Sequence, residues 1–377
     1  MLFALLLAAA QPAYGSDLNA RVFDRAWMLV DKHYWDRDAH ATRWADARDR
    51  YRPRALAATS ERGLYAVLGE MLGTLGDSHV FADDPDEVDA DEAREGGGRG
   101  GFGFASWQSG DSWRVFAVDA DTPAAAAGVQ IGWRLLSIDG RPVDVGFHPA
   151  PGESASIVFE DEGGRRHALR LTAAALPPAA EQRATRLPGD ILVLRLDGFD
   201  GRPDRWITDE IDAARPRAVI LDLRENYGGE AMSVARVAGR LFTEKQTLIR
   251  RIGRKGPENV PTLGAGDRSY AGPLAILVGP RSASGAEAIA AAVQETGRGI
   301  TVGERTAGAL TGAARYRLPD GGELSVAEFD IRTGHDARLE GRGLTPGVVV
   351  TPALADLRAG RDPVLEKARA LLAGRSR

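Results

Sequence analysis

The chain has 377 residues, 44% of them apolar and 27% charged, with 48 Lys and Arg against 53 Asp and Glu for a net charge of −5. At roughly 100–200 residues per domain this is a multidomain globular chain, and its composition excludes wholesale disorder. The negative balance disfavours nucleic-acid binding driven by phosphate contacts. The absence of cysteine excludes disulfides, thiolate catalysis and cysteine-ligated metal sites.

Residues 2–10 form an apolar run, too short for the ~20 residues a bilayer span needs. With the small residues of Ala13-Tyr14-Gly15 behind it, the run predicts a secretory signal over residues 1–15. The chain is then exported, to a periplasm or the medium, with no stable membrane span after cleavage. No Lys or Arg precedes the run, and without a working signal the chain stays cytoplasmic.

Residues 17–81 read as a helical domain. Phe23, Trp27, Leu29, Val30, His33 and Tyr34 recur near helical spacing, as do Leu64, Val67, Leu68, Met71 and Leu72. Ser60 is a helix-start signal without a full capping box. Residues 82–100 combine Asp83, Asp84, Asp86, Glu87, Asp89, Asp91, Glu92 and Glu95 with Gly96-Gly97-Gly98, which predicts a solvated linker. No EF-hand spacing is present there, and no metal site is expected anywhere.

Residues 101–176 switch to short strands, at 113–118 and 157–160, with turns at Asp139-Gly140 and Gly163-Gly164. Residues 185–373 alternate: strands at 191–196, 218–223, 274–278, 299–302 and 324–331, helices at 231–241 and 286–296. A last helix at 364–372 follows Asp362-Pro363. The alternation predicts a layered α/β core.

Four segments could carry chemistry. Ser282-Ala283-Ser284-Gly285 joins an apolar strand to an Ala-rich helix, where backbone amides and the helix dipole favour negative charge. An acyl-transfer nucleophile fits there, and so does an ordinary N-cap serine. Asn226-Tyr227-Gly228-Gly229 follows a strand, and its glycines could let amides approach a substrate oxygen or simply make a turn. His79, in Asp77-Ser78-His79, is a candidate base, although a lone histidine is usually structural. Glu340 stands among glycines in Glu340-Gly341-Arg342-Gly343, unlike an acid on a solvated helical face.

In this order the segments resemble the C-terminal processing peptidase and tricorn superfamily of serine peptidases. The resemblance runs from Asp77-Ser78-His79 through Leu221-Asp222-Leu223-Arg224, Asn226, Gly228-Gly229, Ser282-Ala283-Ser284-Gly285-Ala286-Glu287 and Gly303-Glu304-Arg305-Thr306 to Glu340-Gly341 and Leu344-Thr345-Pro346. It covers nearly all of the chain after residue 15. It implies a crotonase-like α/β core with a PDZ-like β domain inserted after the helical region.

The resemblance also implies roles. Ser284, the second serine of its segment, is the nucleophile. One branch of the family uses a lysine base in a Thr-x-Gly-Lys segment, but here Ala309 follows Thr306-Ala307-Gly308. None of Lys32, Lys245, Lys255 and Lys367 lies in a matching motif. The other branch uses Ser, His and Glu, which matches His79 as base and Glu340 as the acid that orients it, with Ser78 assisting the glutamate. Asp336 is the alternative acid if the loop register differs. Gly228 or Gly229, with Gly285, would hold the oxyanion. Gly101-Phe102-Gly103-Phe104 would be the peptide-carboxylate loop of the PDZ-like domain, Phe102 and Phe104 lining its side-chain pocket. The function implied is a serine endopeptidase of unfolded or C-terminally exposed polypeptides, with no cofactor. The alternatives are a non-catalytic peptide-binding scaffold of the same fold and an esterase or other acyl hydrolase using the same triad.

Overall fold

Three helices form the N-terminal segment: α1 Ser16–His33, α2 Arg37–Leu56 and α3 Glu61–Gly73. The computed structural model describes residues 15–89, 99–109, 112–143, 149–176, 182–263 and 266–374. Residues 1–14 of the expected signal and 90–98 of the expected linker lie outside them. Among the described residues no helix is long and apolar enough to cross a membrane. The chain divides into two units. The first runs up to Asp91 and adds Arg251–Pro257 and Thr311–Asp330; the second comprises Glu92–Arg250, Glu258–Leu310 and Ile331–Arg377.

In the first unit the predicted apolar positions are the core. Phe23, Leu29, Val30, Leu64, Leu68, Met71 and Leu72 are buried together. Helix α3 starts as expected, with Ser60 Oγ accepting the Gly63 N–H at 3.2 Å. Strand β1, Phe81–Asp83, pairs antiparallel with β17, Glu323–Thr333, which pairs antiparallel with β16, Thr311–Arg317. Leu324, Val326 and Ala327 of β17 join the helices' core. This corrects two expectations. The strand read at 324–331 is an antiparallel partner in this unit, not a member of the α/β sheet. The linker read at 82–100 begins as strand and helical residues 85–89. There Asp84 and Glu87 cap one another (2.9 and 3.1 Å) and Val88 is buried. The same acids that suggest solvation by composition suit the first turn of a helix.

The second unit contains the strand-rich segment and the parallel sheet. Strand β2, Arg99–Gly101, pairs with β8, Ala174–Leu176. Between them, β3 Phe104–Ser109, β4 Ser112–Val118, β5 Arg134–Ile138, β6 Ser154–Glu160 and β7 Arg166–Thr172 form an antiparallel sheet in chain order, with β3 on one edge. A short helix, α4 Pro123–Ala126, follows Thr122. The predicted Asp139-Gly140 turn has both residues at positive φ, 49° and 74°, and closes a single Ile138–Arg141 bridge.

The other sheet runs β18 (Val348–Val349), β15 (Ile300–Gly303), β14 (Leu274–Val278), β11 (Ala218–Asp222), β10 (Ile191–Leu196) and β9 (Gln182–Leu187). All but the edge strand β9 are parallel. Its central parallel strands are apolar on both faces because both are covered. Leu192, Leu194, Val219, Leu221, Leu274 and Ile276 share a core with α6, Ala231–Leu241, and α7, Gly285–Glu295. Ile191, Val193, Ala218, Ile220, Ala275 and Leu277 face α9, Pro363–Ala373. Helix α5, Pro203–Ala214, was not read from sequence; it packs Ile207 into the first of these cores. The carboxyl ends of β11 and β14 therefore open side by side into residues 223–230 and 279–284.

Truncating the fully buried Ile276 to alanine should destabilise the protein by about 2–5 kcal/mol, as measured by chemical denaturation.

Candidate active site

Ser284 is the residue immediately before α7, where a helix cap would sit, but its backbone is not that of a cap. It has φ 52° and ψ −113°, whereas N-cap residues ordinarily have an extended, negative-φ backbone. A non-glycine side chain held there costs about 1–3 kcal/mol. Ser282 is different: it is fully buried, donates to Leu223 O at 2.7 Å and accepts the Gly279 N–H at 2.9 Å. One serine is a structural strut. The other is half-exposed and held in strain.

Glycine is needed around Ser284. A Cβ on Gly285 would fall 2.5 Å from Val234 Cγ2, and one on Gly228 2.7 Å from Ser284 Cβ and 3.3 Å from Gly285 N. Gly228 and Gly229 have φ of 106° and 140°, conformations open to glycine. The loop is fixed by buried Asn226, whose Nδ2 donates to Leu196 O at 2.8 Å and whose Oδ1 accepts the Gly228 N–H at 2.9 Å. That bond corrects one expectation: the Gly228 amide is already spent within its own loop, which leaves Gly229 and Gly285 as the candidate oxyanion donors. Asn226 O accepts the Ala283 N–H at 2.9 Å, tying this loop to the serine segment.

The arginine of the Leu-Asp-Leu-Arg segment anchors the same loop. Arg224 bonds Asp222 (2.7 and 2.9 Å) and Asp362 (2.8 and 2.9 Å). Burial acts to lower its pKa, but the two carboxylates outweigh it and hold the guanidinium charged, above its ordinary value. Glu225, next along, is pushed up by burial, and Arg281 on the serine loop, 3.3 Å away, opposes that shift.

On the far side of Ser284 runs the segment 306–310. Ser284 N–H bonds Ala309 O at 3.0 Å. Glu287, fully buried in the first turn of α7, accepts from Thr306 Oγ1 (2.5 Å) and the Gly308 N–H (2.9 Å) on one oxygen. Its other oxygen accepts from the Ala309 N–H (2.9 Å) and the Ser284 N–H (3.2 Å). Burial pushes its carboxyl up, and these bonds pull it back. The next amide, Leu310 N–H, donates to Glu340 Oε2 at 2.8 Å. Glu340 is buried. Asp336 is exposed and paired with Arg250 (2.7 Å) and Arg332 (3.5 Å). Of the two acids proposed from sequence, Glu340 is the one attached to the serine's surroundings. Ala309 occupies the lysine position of the other branch and contributes its backbone on both sides.

His79 and Ser78 are carried by the first unit. Ser78 Oγ lies 2.9 Å from His79 Nδ1, Asp77 Oδ1 accepts the His79 N–H at 3.0 Å, and Ser325 Oγ donates to His79 O at 2.8 Å. The imidazole is thus fixed at its backbone and at Nδ1. Ser78, expected to assist the glutamate, touches the histidine directly.

In the strand-rich segment, Gly101 ends β2 and Phe104 starts β3. Phe102 O accepts the Ala124 N–H (2.8 Å) and Gly103 O the Asp119 N–H (2.9 Å). Gly103, at φ 80°, has Thr122 where a Cβ would be. Phe102 is buried in the core of this sheet and stacks on half-buried Phe104, which packs edge-on against Phe159. Phe102 is therefore part of the core of this sheet, and Phe104 is the more exposed of the two.

Sequence reasoning missed Glu287, Asn226 and Asp77 as supporting residues. All three lie inside the quoted motifs, and the available signal was a polar residue close to glycines: Asn226 after a strand, Glu287 at a helix start and Asp77 beside Gly76. The partners, mostly backbone amides, carry no sequence mark.

Residues 190–350 match Peptidase family S41, and residues 19–73 match the Tricorn protease C1 domain. The chain is 29% identical to tricorn protease homolog 1 of Streptomyces coelicolor over 93% of its length, while spanning 35% of that protein. It is 26% identical to the carboxyl-terminal-processing protease of a Picosynechococcus species, over 86% of this chain and 82% of that one. The photosystem II D1 C-terminal processing protease has the same mixed α/β fold, with a TM-score of 0.69 at 22% identity over 89% of this chain and 93% of the other.

Two substitutions separate strut from strained residue. Ser282→Ala should cost about 1–3 kcal/mol by leaving the Gly279 N–H without its partner and Leu223 O with only the Asn226 N–H. Ser284→Gly should stabilise by up to about 1 kcal/mol, since glycine takes positive φ without strain. Thermal or denaturant melts of the two variants check both.

Proposed function

We infer that this chain, a member of serine peptidase family S41, hydrolyses peptide bonds of unfolded or C-terminally exposed polypeptides through an acyl-enzyme at Ser284. One observation carries the reading: Ser284 is held at φ 52° at the head of α7, with Gly228 pressed against it and Gly285 behind it. A helix cap needs none of that strain, whereas an exposed nucleophile with amide donors beside it does.

In this reading Ser284 Oγ attacks the scissile carbonyl carbon and its proton passes to His79. Gly229 and Gly285 N–H groups stabilise the oxyanion; each such donor is worth about 2.7–4 kcal/mol in the transition state. Collapse breaks the C–N bond as His79 returns the proton to the leaving amine. Water, deprotonated by the same base, then frees the acyl group. Glu340 orients and stabilises the imidazolium, the role of the third member of such a triad. The Ser78 contact at Nδ1 supports this in the tautomer whose Nδ1–H donates to Ser78 Oγ, which leaves Nε2 unprotonated for the transfer.

The parallel sheet with helices on both faces supports a crotonase-like core, and residues 101–176 are read as a PDZ-like module. The edge position of β3 leaves room for a peptide to add as a strand, with the amides of residues 101–104 at its carboxylate. The names of the carboxyl-terminal-processing relatives support a preference for C-termini. The apolar run at residues 2–10 supports export.

Wild-type protein should degrade unfolded casein, and Ser284→Ala and His79→Ala should each lower the rate about 1,000-fold or more without loss of folding. A Ser284→Ala variant that cleaves at the wild-type rate removes Ser284 as nucleophile.

A further inference from the structure

Three consecutive amides, those of Gly308, Ala309 and Leu310, end on two buried carboxylates: the first two on Glu287, the third on Glu340. The same Glu287 oxygen that takes Ala309 N–H also takes the Ser284 N–H, and Ala309 O receives a second bond from that amide. The strap is closed on its other edge. Gly341 N–H bonds Gly308 O at 2.7 Å, and Leu344 N–H bonds Thr306 Oγ1 at 2.6 Å, so the Thr306 hydroxyl hydrogen is the one directed to Glu287. A Cβ on Gly308 would stand 2.6 Å from Gly343 N, which shows how closely the strap and the Glu340 loop are apposed. Every one of the four groups facing Glu287 is a donor, and only an acceptor with two oxygens matches them all.

We propose that Glu287 is a positioning residue that sets the register between the nucleophile Ser284 and the acid Glu340 by holding the 306–310 strap between them. It touches neither substrate nor the reacting atoms. It fixes the Ser284 amide directly and the Leu310 amide one residue beyond its grip, and through Leu310 the carboxylate of Glu340. A glutamine in its place keeps the volume but turns one oxygen into a donor, which faces an N–H or the Thr306 hydroxyl and frees one side of the strap. The inference rests on the Ser284 and Glu340 assignments above.

The test is a double-mutant cycle on casein, with phosphonylation of Ser284 by a fluorophosphonate probe as a second readout that needs no peptide substrate. Glu287→Gln should lower kcat about 100-fold, the scale of an ångström-sized misplacement, with KM within about 3-fold. In a Glu340→Gln background the same change should cost no more than about 10-fold, because one of the two groups being positioned is already altered and only the Ser284 amide remains to be held. Losses that multiply in full across the two backgrounds, or an unchanged kcat, overturn the inference. If Glu287→Gln does not fold, Thr306→Val, which removes one donor to the carboxylate, carries the same cycle with an expected loss of about 10-fold. Ser284→Ala, run alongside, keeps the two levels apart. If it still cleaves casein and still takes the probe, the nucleophile assignment has failed and the inference with it. If it is silent while the cycle is additive, only the role of Glu287 has failed.

Discussion

A buried carboxylate ringed by donors is the constraint around which the serine region is built. Leaving the charge of Glu287 in an apolar interior without partners would cost several kcal/mol, and the fold answers with four hydrogen bonds. Those donors come from two segments, the turn into α7 and residues 306–309, so satisfying one side chain fixes two backbones. The strain at Ser284 persists because the surrounding bonds over-determine it: its amide is held by Glu287 and Ala309, and its predecessor Ala283 by Asn226.

The other loop is governed by exclusion. Gly228, Gly229 and Gly285 are positions where a side chain collides with Ser284, Phe199 or Val234. The approach of two loops at adjacent strand ends leaves no space for a methyl group. Charge completes the arrangement. Arg224 pins the base of the glycine loop to Asp222 and to Asp362, which also caps α9 by accepting the Leu365 N–H. One guanidinium thereby ties a strand end on one face of the sheet to the helix covering the other.

Much of this was legible in the residues, for reasons that differ by element. The parallel strands are continuous apolar runs because they are buried on both faces, and the N-terminal helices announce themselves by period. Helix α5 escaped because its inward face has few apolar residues, Trp206, Ile207 and Ile211. The polar strand Gly256–Pro261 escaped because it is almost wholly exposed. The strand at 323–333 was found but assigned to the wrong sheet: an apolar run reports burial, not its partner. Ser284, Gly285, Gly228 and Gly229 are brought together as the motifs implied, and Glu340 is joined to them through the strap. The loss of Gly228 as a donor could not be foreseen, because it depends on where one Asn226 oxygen points. The burial of Phe102 likewise follows from packing, not from its motif.

The first unit is not continuous in the chain. Tyr65 bonds Asp320 across 255 residues, and the face of α3 that carries Leu64 and Leu68 is completed by Leu324 and Val326 of β17. During synthesis, the helices made first cannot finish their core until about residue 330 has been made, whereas short-range hairpins such as β6–β7 can close as they emerge. The body that carries His79 is therefore begun first and closed late. A chain cut short before β17 lacks the strand that closes the core around α3, so the unit that carries His79 stays unfinished until nearly nine-tenths of the chain has been made.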